Sequence, residues 1–169
     1  TNNNTITIDS TILNGYNVYA QNGHIYLTNN GDFTIDNCLD SGMDTYINNT
    51  ELAADYHFIN EGNFSISNVV DGGSRNTCRY SNAIFSNTGS FLVSETGNVG
   101  LVFSGANEAN IDFTNDGIFE IRNAGVQGLY LSADSSNCNF NNLQPIHIEG
   151  ANNHLFYMYS DDGVFNWTN

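Results

Sequence analysis

The sequence predicts an all-β chain wound as a right-handed parallel β-helix, a solenoid with three strands per coil, about 27 residues per coil and about six coils. Three observations carry this expectation. An Asn-x-Gly-x-Phe signature recurs from Asn29 to Phe33, Asn60 to Phe64, Asn87 to Phe91 and Asn115 to Phe119, with weaker copies starting at Asn2 and Asn142. The leading asparagines lie 27, 31, 27, 28 and 27 residues apart, and a fixed period of that size marks a stacked repeat. Between the signatures, apolar and polar residues alternate with the period of a half-buried strand, and no helical period is sustained.

Each coil divides into three stretches. The first leads into the asparagine and ends on an aromatic or leucine two residues before it: Leu27, Phe58, Phe85, Phe113, Phe140 and Trp167. The second follows the glycine, as in Phe33-Thr34-Ile35, Phe64-Ser65-Ile66, Phe91-Leu92-Val93 and Phe119-Glu120-Ile121. The third reads Leu101-Val102-Phe103, Leu129-Tyr130-Leu131 and Phe156-Tyr157-Met158, with Cys78-Arg79-Tyr80 as a weaker copy. Stacking coils roughly 4.8 Å apart sets Phe over Phe and makes the interior a set of apolar ladders. The asparagines Asn29, Asn60, Asn87, Asn115 and Asn142 are expected to point inward at a corner and form a hydrogen-bonded ladder. The glycine of the signature fits a turn that needs a positive φ.

The whole of residues 1–169 reads as one β-solenoid domain, a segment of a longer repeat protein. One coil carries four extra residues, and a loop over residues 38–50 is the expected place for them. That loop has two readings, a functional loop on a rigid scaffold or a tolerated insertion.

Composition narrows the partners. The formal net charge is −15, with Arg75, Arg79 and Arg122 as the three basic residues. This argues against nucleic acid held by phosphate neutralisation and against docking on an anionic membrane. No apolar run is long enough for a membrane-spanning helix, so no membrane insertion is expected. The N-terminus shows no basic stretch followed by an apolar one, and the chain reads as a mature or excised segment. Cys38, Cys78 and Cys138 occupy unlike positions in their repeats, so neither a disulfide framework nor a metal site is expected, and no cofactor is implied.

Segments such as Ile84-Phe85-Ser86-Asn87-Thr88-Gly89-Ser90-Phe91 and Asp112-Phe113-Thr114-Asn115-Asp116-Gly117-Ile118-Phe119 resemble the Asn-x-Gly repeats of bacterial and archaeal surface adhesins. Those are the right-handed β-helices of autotransporter passengers and filamentous-haemagglutinin-like proteins. The resemblance implies an extracellular or cell-surface, non-catalytic protein whose partner is a glycan or a host or neighbour-cell protein.

Candidate binding residues lie on the third stretch, where Arg79, Val102, Tyr130 and Tyr157 are expected in one outward row with Tyr159 nearby. Tyrosine offers flat apolar area and a hydroxyl, which suits sugar or protein recognition; burial under a loop or a second chain is the competing account. On the second stretch Glu120 is expected beside His147 and Arg122 beside Glu149. Those four read as an acid/base cluster or as a solvated ion-pair patch. Two further functions stay open: a filament subunit that stacks end to end through unpaired backbone groups, and a polysaccharide lyase or glycoside hydrolase of the β-helix type.

Overall fold

A computed structural model describes residues 1–49, 54–135 and 137–169. The first coil holds β1 (Thr5–Asp9), β2 (Tyr16–Gln21) and β3 (Ile25–Asn29). The second holds β4 (Asp32–Cys38), β5 (Met43–Asn48) and β6 (Ala54–Asn60). The third holds β7 (Asn63–Val69), β8 (Ser74–Arg79) and β9 (Ser81–Asn87), and the fourth β10 (Ser90–Thr96), β11 (Val99–Ala106) and β12 (Ile111–Asn115). The fifth holds β13 (Ile118–Ala124), β14 (Gln127–Asp134) and β15 (Cys138–Asn142), and the sixth β16 (Ile146–Glu149), β17 (His154–Asp161) and β18 (Phe165–Thr168). Equivalent strands pair in parallel, giving three six-stranded sheets. Sheet one starts with β1, sheet two with β2 and sheet three with β3. No helix occurs among the described residues.

The register is the one the signature demands. Phe33, Phe64, Phe91 and Phe119 stack in sheet one, and Phe58, Phe85, Phe113 and Phe140 stack in sheet three. Rings are near-parallel along each ladder, as for Phe64 and Phe91 at 5.1 Å and 7°. Across the corner they meet edge to face, as for Phe85 and Phe91 at 5.4 Å and 84°. Both arrangements suit the quadrupole of an aromatic ring. Sheet two closes the interior with Leu101, Phe103, Leu129 and Leu131. A buried polar cluster of Thr45, Ser74 and Asn76 interrupts it: Asn76 Oδ1 accepts hydrogen bonds from Thr45 Oγ1 at 2.7 Å and from the buried Tyr56 hydroxyl at 2.6 Å. Its Nδ2 donates to Ser74 Oγ at 3.1 Å and to the Val102 carbonyl at 3.0 Å, so the buried amide is fully satisfied.

The asparagine ladder forms and extends past the expected five, running from Asn2 through Asn29, Asn60, Asn87, Asn115 and Asn142 to Asn169. Each Nδ2 donates to the Oδ1 of the next coil at 2.8–3.0 Å. Most donate a second bond to a strand carbonyl of that coil, as Asn60 does to Ser90 at 2.9 Å.

Three expectations need correction. The signature glycines do not adopt positive φ; Gly150 alone among the glycines does. Glycine is required there because the coils come too close for a side chain. A Cβ on Gly62, Gly89 or Gly117 would overlap the carbonyl oxygen of Gly31, Gly62 or Gly89 below it. Positive φ belongs to the other two corners, at Ser10, Asn37, Asn68, Glu95, Asn123 and Gly150 between sheets one and two and at Asn22, Tyr80, Asn107, Glu108, Ser135 and Asp162 between sheets two and three; most carry the short polar side chains that tolerate the left-handed region.

The third stretch has copies in all six coils, and its register differs from the expected one. Leu101-Val102-Phe103 lies beside Ser74-Arg75-Asn76, and Arg79 pairs with Ala106 and Asn48. Polar residues at the inward positions of β8 had hidden the alignment.

The loop expected over residues 38–50 contains β5. Five residues (49–53) separate β5 from β6, where Tyr80 alone separates β8 from β9, so the four extra residues of this coil fall in 49–53. Thr50 and residues 51–53 lie outside the described residues.

Candidate binding surface

Outward positions are where function has room, because the inward ones are committed to the ladders. The outer face of sheet two carries two rows. One runs Asn17, Asp44, Arg75, Val102, Tyr130, Tyr157, and the other Tyr19, Tyr46, Thr77, Ser104, Ser132, Tyr159. The candidate residues therefore separate. Tyr130 and Tyr157 stack at 5.2 Å and 10°, with His154 tilted against Tyr157 at 5.0 Å. Tyr159 stands in the neighbouring row, 44% exposed, and the Asp161 carboxylate beside it raises its phenol above the ordinary range. Arg79 is two coils from Tyr130 and three from Tyr157 and Tyr159, with its guanidinium 6.0 Å from the Tyr46 ring, which itself stacks on Tyr19 at 5.6 Å. A sugar ring needs an open aromatic face, and in these pairs each tyrosine covers a face of the other.

On sheet one the cross-coil neighbours are Glu120 with His147 and Arg122 with Glu149, as expected. Arg122 Nε lies 3.8 Å from Glu149 Oε1, and the shorter contacts run within each strand. Arg122 bonds Glu120 of its own strand at 2.8 Å, and His147 Nε2 lies 3.3 Å from Glu149. All four side chains are between 31% and 54% exposed, the setting of a solvated ion-pair patch worth about 1 kcal/mol or less per pair.

The acidic charge has a neutral counterpart that the sequence did not announce. Carboxylates accept amide N–H groups from the next coil: Asp9 from Asn37 at 3.0 Å, Asp32 from Asn63 at 2.8 Å, Asp36 from Asn68 at 2.8 Å. The same holds for Asp71 with Asn98 at 2.9 Å, Glu95 with Asn123 at 2.6 Å and Asp112 with Asn139 at 2.6 Å. Amides thus do much of the work that lysines do elsewhere. For Asp9, the bonds from Asn37 and then Ser10 hold the carboxyl below its ordinary value.

Sheet three presents the most regular surface. Two ridges of side chains run along the solenoid axis with a groove between them. One ridge is Asn82, Asn110, Asn137 and Val164; the other is Ile84, Asp112, Asn139 and Asn166. Hydrogen bonds tie the ridges lengthwise, Asn110 Nδ2 to Asn82 Oδ1 at 3.2 Å and Asn166 Nδ2 to Asn139 Oδ1 at 2.7 Å. Toward the N-terminal coils the same face becomes aromatic, where Tyr26 meets His57 at 4.9 Å and His24 Nδ1 accepts the Asp55 N–H at 3.0 Å. Among the described residues no three His, Cys, Asp or Glu side chains gather as metal ligands. Among the described residues no helix is long and apolar enough to cross a membrane.

Sequence alone does not single out the sheet-three groove, because its residues resemble generic turn and surface asparagines. Their spacing of 27 to 28 residues was the available signal, seen at Asn82, Asn110 and Asn137 and again at Asp112, Asn139 and Asn166. No known protein family, curated protein or solved structure matches this chain.

Proposed function

We propose that this chain is a non-catalytic, adhesin-like scaffold of the cell surface or extracellular space, a rigid solenoid that holds outward side chains in register for a glycan or protein partner. The observation that carries the reading is the separation of tasks around each coil. Asparagine and phenylalanine ladders run through the interior, while the outward rows differ from sheet to sheet and leave regular, solvent-facing arrays. Inward repetition supplies rigidity, and outward variation supplies recognition. The charge of −15 keeps copies apart in solution and disfavours anionic partners.

A panel of polysaccharides and glycoproteins tests this reading, scored for retained protein and for released reducing or unsaturated ends. Retention without release supports the scaffold. Release that disappears in Glu120→Ala or His147→Ala would overturn it in favour of the lyase or hydrolase alternative.

One observation favours a second reading, end-to-end assembly. Within the described residues β16, β17 and β18 each pair on one side only, and Trp167 and Leu155 on that end are 50% and 48% exposed. A coil stacked there, whether from a second copy or from further residues of the same chain, would satisfy the open strand edges. Light scattering across a concentration series separates the readings: a mass that grows with concentration, and falls back in Leu155→Lys, would favour the filament.

A further inference from the structure

We infer that the groove between the two asparagine ridges of sheet three binds a linear, uncharged polyhydroxylated chain, a neutral glycan lying along the solenoid axis. The inference rests on the scaffold reading and names its site and ligand class. Four observations converge on it.

The groove is periodic. Each ridge contributes one side chain per coil over four coils, so polar groups recur about every 4.8 Å along a straight line. A ligand that uses all of them must repeat along its own length, as a linear glycan does.

The chemistry of the ridges matches hydroxyl groups. Asn139 Nδ2 gives one N–H to Asp112, and Asn166 Nδ2 gives one to Asn139. Each amide carries a second N–H, and its oxygen has two lone pairs. Sugar hydroxyls donate and accept, so they can meet both kinds of group. Ile84 and Val164, at diagonally opposite ends of the groove, offer small apolar patches to the C–H faces of a sugar.

The charge of the groove selects against ions. Among the described residues that line it, Asp112 is the one ionisable group, already hydrogen-bonded to Asn139, and none is arginine; Asp55, at the end of the ridge, accepts from Asn82 Nδ2 at 3.4 Å. An anionic chain would find no cation here and a protein of net charge −15 around it. A cationic chain would find more carboxylate on sheet one, at Asp9, Asp32 and Asp36.

The site is also pre-organised. The lengthwise hydrogen bonds hold the amides before any ligand arrives, which lowers the ordering cost of binding. By contrast the tyrosine rows of sheet two stack on themselves.

Isothermal titration with neutral oligosaccharides of two to eight residues tests the inference. The probes are gluco-, xylo- and manno-oligosaccharides, with oligogalacturonate as the anionic control. At least one neutral series is expected to bind. Its affinity is expected to rise with chain length and level off once the groove is spanned, with little dependence on salt. The double variant Asn110→Ala/Asn139→Ala is expected to weaken binding about tenfold or more. Asn110→Arg, which fills the groove, is expected to abolish it. Circular dichroism melting of each variant checks that the fold survives. Unchanged affinity in both folded variants, with loss in Tyr157→Ala/Tyr159→Ala, would overturn the groove and leave the scaffold reading intact. Preference for oligogalacturonate would overturn the ligand class. Binding to no glycan, neutral or charged, would overturn this inference and leave the scaffold reading to stand on a protein partner.

Discussion

Asn60 and Asn87 are 27 residues apart in sequence, yet Asn60 Nδ2 donates to Asn87 Oδ1 at 2.8 Å in a corner where neither side chain has any exposed surface. That bond is one rung of a ladder joining every coil to the next, and each rung depends on both neighbours. A buried amide left without its partner costs far more than the bond itself is worth.

Replacing Asn87 with alanine takes the acceptor from Asn60 and the donor from Asn115 and from the Ile118 carbonyl. The expected loss is about 3 kcal/mol. Asn87→Asp should lose more at neutral pH, since a buried carboxylate cannot donate to Asn115, and should recover part of the loss as acid neutralises it. Urea melts of both variants at pH 7 and pH 4 check the order.

Gly89→Ala and Gly23→Ala test the close-approach account of the signature glycines. At Gly89 a methyl group would strike the Gly62 carbonyl of the coil below, so a loss of about 3 kcal/mol is expected. At Gly23 the nearest atom to such a methyl is 3.9 Å away, and neither glycine has positive φ. Gly23→Ala should therefore be neutral or stabilising by up to about 1 kcal/mol, because it restricts the unfolded chain. Equal melting temperatures for the two variants would contradict the close-approach account.

Asp44 has a carboxyl raised above its ordinary value of 3.8, because partial burial disfavours the charge more than the Arg75 guanidinium supports it. The folded state therefore binds this proton more tightly than the unfolded state. Its contribution to stability is present at low pH and is lost as pH rises through the folded value. Asp44→Asn should raise the melting temperature at pH 7, and the gain should vanish in acid below the ordinary aspartate value. Asp9 has the opposite sign: the amide and hydroxyl bonds that lower it contribute stability at neutral pH that is lost as pH falls. Melting curves of Asp44→Asn and Asp9→Ala against pH should therefore meet the wild-type curve in acid and depart from it in opposite senses as pH rises, Asp44→Asn above it and Asp9→Ala below it.

Burial lifts the Cys78 and Cys138 thiols to about 12, and Cys38 is equally shielded from solvent. A thiol reagent at pH 8 should label none of the three cysteines in the folded protein and all three after denaturation. Rapid labelling of the native protein would show that a coil opens.

The strongly repeated features were legible from the chain. Phe64, Phe91 and Phe119 announced sheet one because each coil repeats the same residue at the same offset, and stacking equivalent positions is what a parallel solenoid does. Sheet two was harder. Asn76, where the coils above and below set Phe103 and Thr45, breaks the apolar pattern, and one misplaced copy moved Arg79 four residues out of its row. The amide partners of Asp9, Asp36 and Glu95 were not legible, because they lie one coil away at a left-handed corner and outside any local motif.

The sequence by itself determined the coil: its period, its inward ladders, and the parallel stacking that follows when identical apolar positions must cover one another. Those are properties of a pattern repeated along one dimension, and a pattern is readable without coordinates. The tertiary structure decided which glycines stand back to back with a carbonyl, which carboxylates receive an amide, and which outward side chains share a groove. These depend on the lateral register of each strand against its neighbour, where a shift of two residues keeps inward and outward positions alternating as before but exchanges every partner across the coils.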